Sequence, residues 1–584
     1  MRTAGQQRKT SSAGKEDRFS ASLGPHENPI REALRSLDEQ RFVERFFAKD
    51  DALWKPEPDA RKTIAHRLGW LTVADTMAEQ SDDLTAFARS VRASGFSHAV
   101  LLGMGGSSLG PAVLRNTFGV RPGYPDLQVL DSTDPATILR VEKAVDLPKT
   151  LFIAASKSGT TIEVDALYRY FHTKIKTVNP DQPGNQFIAI TDPGTPLEVL
   201  ARTERFRRTF LNPSDIGGRY SVLSYFGLVP GVLTGMDPAA FLDRAGRMIQ
   251  RCGPEIPAEK NPGLSLGVIL GEMAKAGRDK VTLITPPPIQ NFGIWVEQLL
   301  AESTGKEGKG LIPVEGEAIG RPEVYGNDRL FVYLAVSSSP DRKLRQSLQA
   351  LERAGHPVVR ILIHDPLDLA GEFFRWEFAT AVAGALLKVN PFDEPNVAES
   401  KENTRKVLDA FQKTRTFPKE EPFLEEGGML LYGNSESIAN GSLKEAVWNL
   451  LDRAGPGDYV ALMAYLEASG ANDSRLQTIR SAIRDRRRVA TTLGYGPRFL
   501  HSTGQLHKGG PGRGLFIQIT AEDDPDLPIP GEPYTFGILK KAQALGDFHS
   551  LSNRSRPVLR IHLGSDVEPG LKRLARALGS TRKR

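Results

Sequence analysis

From Ile30 to about Arg92, apolar side chains recur at near-helical spacing, with Ala33, Leu34, Leu37, Phe42, Phe46 and Phe47 as the clearest series. That period predicts amphipathic helices, punctuated by Pro56 and Pro58. The pattern then changes to short apolar runs bounded by Gly, Pro, Asp or Ser: Ala99–Leu102, Val129–Leu130, Leu151–Ala155 and Phe187–Ile190. Helix-length segments such as Pro111–Phe118 and Glu163–Phe171 separate them. Strand and helix in alternation predict right-handed βαβ units and a parallel sheet covered on both faces.

An apolar helical stretch over Ser221–Leu233 leads into a second alternating region. Its predicted strands are Val281–Ile284, Leu330–Val336 and Val358–Ile363, and its helices Leu264–Ala276, Phe292–Ala301, Lys343–Ala354 and Ala370–Leu387. Beyond Phe417 the pattern predicts helices at Ser442–Ala454 and Ser474–Thr492, with strands around Phe516–Ile519 and Val558–His562. The expected architecture is α/β: two consecutive doubly wound parallel-sheet domains plus an additional C-terminal α/β region. The boundaries are residues 1–30 as a disordered basic tail, 31–245, 246–416, and 417–584 ending in a second basic tail.

Composition narrows this picture little, but charge tests it. The 584 residues are 40% hydrophobic and 25% charged, which excludes a wholly disordered, collagen-like or coiled-coil chain. The formal charge of +6 and pI near 9.1 invite a nucleic-acid reading. The basicity lies at the ends: residues 1–18 sum to +3 and residues 571–584 to +6, leaving about −3 over the rest. These tails lack interleaved aromatics, so nucleic acid is not an expected partner, and no membrane partner is expected either. The single cysteine, Cys252, excludes a disulfide framework or a cysteine-built zinc site within one chain and fits a reducing, cytoplasmic setting. It reads as a small buried hydrophobe. No apolar run reaches membrane-spanning length, and Met1–Arg18 lacks the apolar segment of a secretory signal.

Five segments carry candidate chemistry. Gly103-Met-Gly-Gly-Ser-Ser-Leu-Gly110-Pro111 follows a predicted strand and opens a helix. It lets backbone approach a ligand closely, yet fits neither the dinucleotide fingerprint nor the P-loop. A tight strand-to-helix turn explains it equally well. Ser156-Lys-Ser-Gly-Thr-Thr161-Ile-Glu163 places four hydroxyls at one helix start, more than a cap needs and suited to a phosphate monoester. Gly217-Gly218-Arg219 projects an arginine from a tight loop. In Trp295–Lys306, Trp295, Gln298, Leu299 and Glu302 share a helix face. Partial burial and the negative helix end would raise the Glu302 pKa toward that of a general base. Asn390-Pro-Phe-Asp-Glu394-Pro395 marks a turn before Lys401.

In this order and at these separations the five segments resemble the glucose-6-phosphate isomerase family, over about residues 40–410. Gly494–Gly510 and Tyr534-Thr-Phe-Gly537 resemble a narrower group in which the isomerase is fused behind a transaldolase. No transaldolase region is read here, so the expectation is the isomerase part alone. The resemblance implies two sugar-isomerase domains, no cofactor, no metal, a phosphosugar substrate (glucose 6-phosphate and fructose 6-phosphate) and a homodimer. It places Gly106 and Ser107 on the sugar, and Ser156, Lys157 (through its backbone), Ser158 and Thr161 on the phosphate. Arg219 would stabilise the enediolate and Glu302 would shuttle the proton. Lys401 would contact the ring oxygen or phosphate region.

Two departures stand out. Glu394 takes the place of the family's usual glutamine, and a carboxylate there would repel a phosphosugar unless it paired with Lys401 or faced away. The family's ring-opening histidine has no match in its usual stretch, which leaves His501 and His507 in the C-terminal region as candidates. An aldose–ketose exchange needs a base, an acid and a cation for the oxyanion. Glu302, a histidine or lysine, and Arg219 supply that set. A non-catalytic phosphosugar sensor, which would need the hydroxyls but no base, is the rival reading. Isomerisation of mannose 6-phosphate is an enzymatic extension.

Overall fold

The computed structural model describes residues 18–337, 339, 341–434 and 441–579. Among the described residues sixteen strands form three sheets. They are β1 (Arg18–Ser22), β2 (His98–Gly103), β3 (Asp126–Leu130), β4 (Thr150–Ala155), β5 (Phe187–Thr191), β6 (Arg208–Leu211), β7 (Lys280–Ile284) and β8 (Ile312–Val314). The remainder are β9 (Arg329–Val336), β10 (Val358–Ile363), β11 (Leu424–Glu426), β12 (Met429–Gly433), β13 (Tyr459–Tyr465), β14 (Ala490–Tyr495), β15 (Gly514–Thr520) and β16 (Val558–His562).

The first sheet, in order β3-β2-β4-β5-β6, is wholly parallel. The second, β1-β10-β9-β7-β8, is parallel except for β1, which pairs antiparallel with β10. The third, β11-β12-β16-β15-β13-β14, is parallel from β16 to β14 and antiparallel at β11 and β12. In each sheet the first parallel strand is flanked by the second on one side and the third on the other. Ligands bind at such a reversal, outside the carboxyl ends of the strands. The C-terminal region is therefore a third doubly wound sheet.

The burial pattern explains the parallel assignment. Strands β4, β5, β7 and β13 are buried at every residue, as covering helices on both faces require. One apolar core joins the N-terminal helices, one face of the first sheet and the second sheet. Another joins the opposite face of the first sheet to the helices Pro395–Thr414 and Phe536–Asn553. A third packs the inner face of the third sheet on Ala301, Ile312 and Val314. The C-terminal region is thus docked against both other sheets. Cys252 is buried, and burial pushes its thiol up to about 12.

Three expectations need correction. Residues 18–30 are not a disordered tail: β1 completes the second sheet, and Gly24–His26 and Glu27–Glu39 are helical. The part of that expectation over residues 1–17 lies outside the described residues. The helix expected over Ser474–Thr492 runs from Gly470 to Arg487, where Arg488 at φ 56° turns the chain out and β14 begins. Within the expected C-terminal basic tail, Lys572, Arg573 and Arg576 lie on the helix Val567–Ala577, while residues 580–584 lie outside the described residues. Among the described residues no helix is long and apolar enough to cross a membrane.

Candidate active site

The first sheet reverses between β2 and β4, and the first two motifs stand at the ends of those strands. After β2, Gly105 (φ 56°) turns the chain into the helix Gly106–Phe118. A Cβ on Gly106 would lie 2.1 Å from the carbonyl oxygen of Gly218, so only glycine lets this loop close onto the loop that carries Arg219. Ser107 is buried beside it. After β4, the hydroxyls bond one another: Ser156 Oγ to Thr161 Oγ1 at 2.8 Å and Ser158 Oγ to Thr160 Oγ1 at 2.9 Å. Thr161 precedes the helix Ile162–Val178 without capping it through its side chain. Lys157 is turned aside into an ion pair with Asp192 and donates to the Ser214 carbonyl at 3.0 Å. Its backbone alone is left to the loop.

Arg219 is buried and its fork is filled. Nε donates to Ser303 Oγ at 2.7 Å, Nη2 to the Pro391 and Asp393 carbonyls at 2.7 and 2.9 Å, and Nη1 to Glu394 at 3.0 Å. Glu302 Oε1 lies 3.4 Å from the same Nη1. Glu394 therefore pairs with Arg219, not with Lys401, and does not face away. Glu302 sits at the end of the helix Phe292–Thr304, where Gln298 Nε2, one turn earlier, donates to its Oε2 at 2.9 Å. Burial raises the Glu302 pKa, with Arg219 opposing and Glu394 reinforcing. Glu394 moves the other way: against its burial, the Arg219 guanidinium holds it below the usual carboxylate range. One guanidinium thus shares two carboxylates, and the one nearer to it is the stronger acid.

The C-terminal region reaches into this assembly. Gln298 Nε2 also donates to the His501 carbonyl at 2.8 Å. The His501 ring meets Glu163, its Nε2 lying 2.9 Å from Oε1, and Gln543 Nε2 donates to the same Glu163 oxygen at 2.7 Å. Against its burial, His501 holds the Glu163 carboxyl low. Arg498 anchors the segment to the first sheet through Asp131 at 2.7 Å, and Gln505 Nε2 anchors it to the second through the Gly305 carbonyl at 3.0 Å. Lys401 is exposed on the helix Pro395–Thr414, as its seventh residue. It lines a cavity of about 250 Å³ with Thr160, Glu163, His501 and Gln543.

His507 goes elsewhere. It is buried among Tyr459, Phe499 and Phe516 with neither ring nitrogen bonded among the described residues, and burial pushes its pKa down to about 3. An aromatic cluster holds it away from Glu163 and Glu302, so the structure brings one of the two candidate histidines to the site. Sequence reasoning passed over Glu163, Gln298, Lys306 and Gln543. Glu163 closes the hydroxyl motif and Gln298 shares the Glu302 face, which were usable signals. Lys306 is buried against Asp393 at 2.6 Å, and burial lowers its pKa to about 8. Gln543 lies 380 positions from Glu163, and nothing local marks it.

Comparison with known proteins adds to this geometry. Residues 71–314 match the phosphoglucose isomerase family. The matched span includes the glycine loop, the hydroxyl loop, Arg219 and Glu302, and ends before Lys401 and His501. The chain is 27% identical to a probable glucose-6-phosphate isomerase of Methanococcus maripaludis over 386 residues, 59% of this chain and 85% of that protein. It is 25% identical to the glucose-6-phosphate isomerase of Prochlorococcus marinus over 490 residues, 77% of this chain and 88% of that one. The crystal structure of a hypothetical protein from Thermus thermophilus superposes with a TM-score of 0.57 at 25% identity, covering 67% of this chain and all of that one. A glucose-6-phosphate isomerase from Chlamydia trachomatis has the same fold, with a TM-score of 0.54 at 19% identity over 65% of this chain and 86% of that one.

Proposed function

We propose that the chain interconverts glucose 6-phosphate and fructose 6-phosphate in the cytoplasm, by proton transfer through an enediolate. The family match over residues 71–314 and the relatives support an enzyme of the glucose-6-phosphate isomerase kind. The observation that carries the mechanism is the buried Glu302 carboxyl beside the Arg219 guanidinium, with the His501 segment hydrogen-bonded one helix turn away.

In this reading the Ser156–Thr161 loop holds the phosphate, and that remote anchor positions C1 and C2 against Glu302. Glu302 takes the proton from C2 of the aldose and returns it to C1. Arg219 balances the negative charge that develops on the enediolate oxygens. Glu394 occupies the outer side of the same fork, so the guanidinium is fixed before substrate arrives. His501, oriented by Glu163, opens the ring, and Lys401 supplies a second cation at the mouth. A coupled assay converting fructose 6-phosphate to glucose 6-phosphate, with chelator and no added metal, tests the proposal. Turnover that depends on Glu302 supports it. Tight phosphosugar binding without turnover would favour the sensor instead.

A further inference from the structure

We propose that the third sheet carries its own binding site for a small organic anion, distinct from the candidate active site. The sheet reverses between β13 and β15. Beyond their carboxyl ends, marked by Tyr465 and Thr520, lies a cavity of about 360 Å³. A crevice at the end of strands flanking a reversal is where doubly wound sheets take ligands, and the volume suits a molecule the size of a sugar phosphate.

The side chains of the wall decide its charge preference. Strand register puts Tyr432, Arg560 and Gln518 in one row across the sheet, and Leu430, His562 and Thr520 in the next. The carboxylates of the wall are already engaged. Glu420 takes Arg560 and His549, Glu522 takes His562 at 3.0 Å, and Asp523 takes Lys540. Asp526 accepts the backbone N–H groups of Leu527 and Gly537 at 2.7 and 2.8 Å. Lys540 is shared with Asp134 at 2.8 Å, and two other basic side chains keep unused donors. Arg560 is 5% exposed, with the rings of Tyr432 and Phe548 at 4.0 and 4.7 Å, and while its Nη2 pairs with Glu420 its Nη1 is buried with no partner among the described residues. Lys541 is exposed at the rim, its ammonium 5.0 Å from the Phe417 ring centre.

A buried guanidinium N–H without an acceptor is costly, and a phosphate or carboxylate head would satisfy it, with Lys541 closing from outside. Leu430, Ile538 and Leu545 offer an apolar wall to the ligand body. The helix Phe536–Asn553 lines this cavity with Lys540, Lys541 and Ala544, and carries Gln543 toward Glu163. An occupant would therefore touch the helix that holds the Glu163–His501 pair.

Isothermal titration calorimetry on the full chain at fixed ionic strength tests the site with glucose 6-phosphate and with citrate as probes. The expected result is a binding event, for at least one probe, weakened tenfold or more in both R560Q and K541Q. Response to the first probe identifies a phosphate head and response to the second a carboxylate. If the buried R560Q variant fails to fold, the exposed K541Q decides alone. No binding of either probe, or binding indifferent to K541Q, overturns the proposal. Failure of the isomerase reading would appear in turnover, which this measurement does not use.

Discussion

At the reversal of the first sheet, β2 and β4 end in Gly-Met-Gly-Gly-Ser and Ser-Lys-Ser-Gly-Thr-Thr; at that of the third, β13 and β15 end in Leu-Glu-Ala-Ser and Ala-Glu-Asp-Asp. The strand order is the same and the chemistry is opposite. The first reversal offers hydroxyls, close backbone and a helix start, with its lysine paired away to Asp192. The third has its carboxylates bonded within the protein, and keeps Lys541 and one nitrogen of the paired Arg560 as unused donors. Topology decides where a site can lie, and the loop side chains decide what it takes. The third sheet adds one thing the first cannot supply for itself, the His501 ring held over Glu163.

The largest break in this comparison is Glu302→Gln. It keeps the Gln298 contact and the shape of the site but removes the proposed base, so turnover should fall about 10³-fold with substrate binding retained, as general acid–base catalysis of this size implies. The coupled assay with a binding titration reads both. Because burial raises the Glu302 pKa, kcat/KM should decline as pH falls through a value above the ordinary carboxylate range.

His501→Ala should cost about 10²-fold on ring-closed substrate and much less on the open-chain form. Equal activity on both forms, unchanged from wild type, would sink its role in ring opening.

His507→Phe separates the two histidines. It fills the same aromatic cluster without an unpaired polar group, so turnover should not change. The His507 pKa is depressed in the folded state to about 3, so its contribution to stability is present above about 6.5 and lost as pH falls toward 3. The phenylalanine variant should therefore unfold less readily in acid, as denaturant midpoints across that range would show.

The smallest effect concerns the back of the Glu302 helix. Burial raises Glu297 to about 8 and Glu315 to about 7, with the Glu315 charge adding to the first and the Asp473 charge to the second. Folded groups with raised carboxylate pKa values bind protons that the unfolded chain releases, so stability should fall as pH rises from about 5 to 8. Glu297→Gln should flatten that slope in thermal midpoints, without altering turnover at its optimum.

Much of the site was legible in the sequence because it is built from local motifs. The glycine loop, the hydroxyl loop and the Glu302 helix each follow from contiguous residues whose spacing sets strand, turn and helix start. Segments that depend on partners were not legible. β1 is recognisable only once β10 offers an edge, and Arg18–Ser22 otherwise reads as the end of a polar tail. The short edge strands β8 and β11 have three residues each, too few for a period.

The sequence by itself determined the alternation of strand and helix, the position of each chemistry-bearing loop at a strand end, and the pair of histidines open to choice. Only the tertiary structure gave them different surroundings, since His501 and His507 differ by six positions and one ring meets Glu163 while the other packs among aromatics. It also decided that Glu394 shares Arg219 with Glu302, across 175 positions of chain. The physical reason is common to both. A carboxylate or an imidazole takes its character from the charge and burial around it, and those surroundings are assembled by contacts between distant segments.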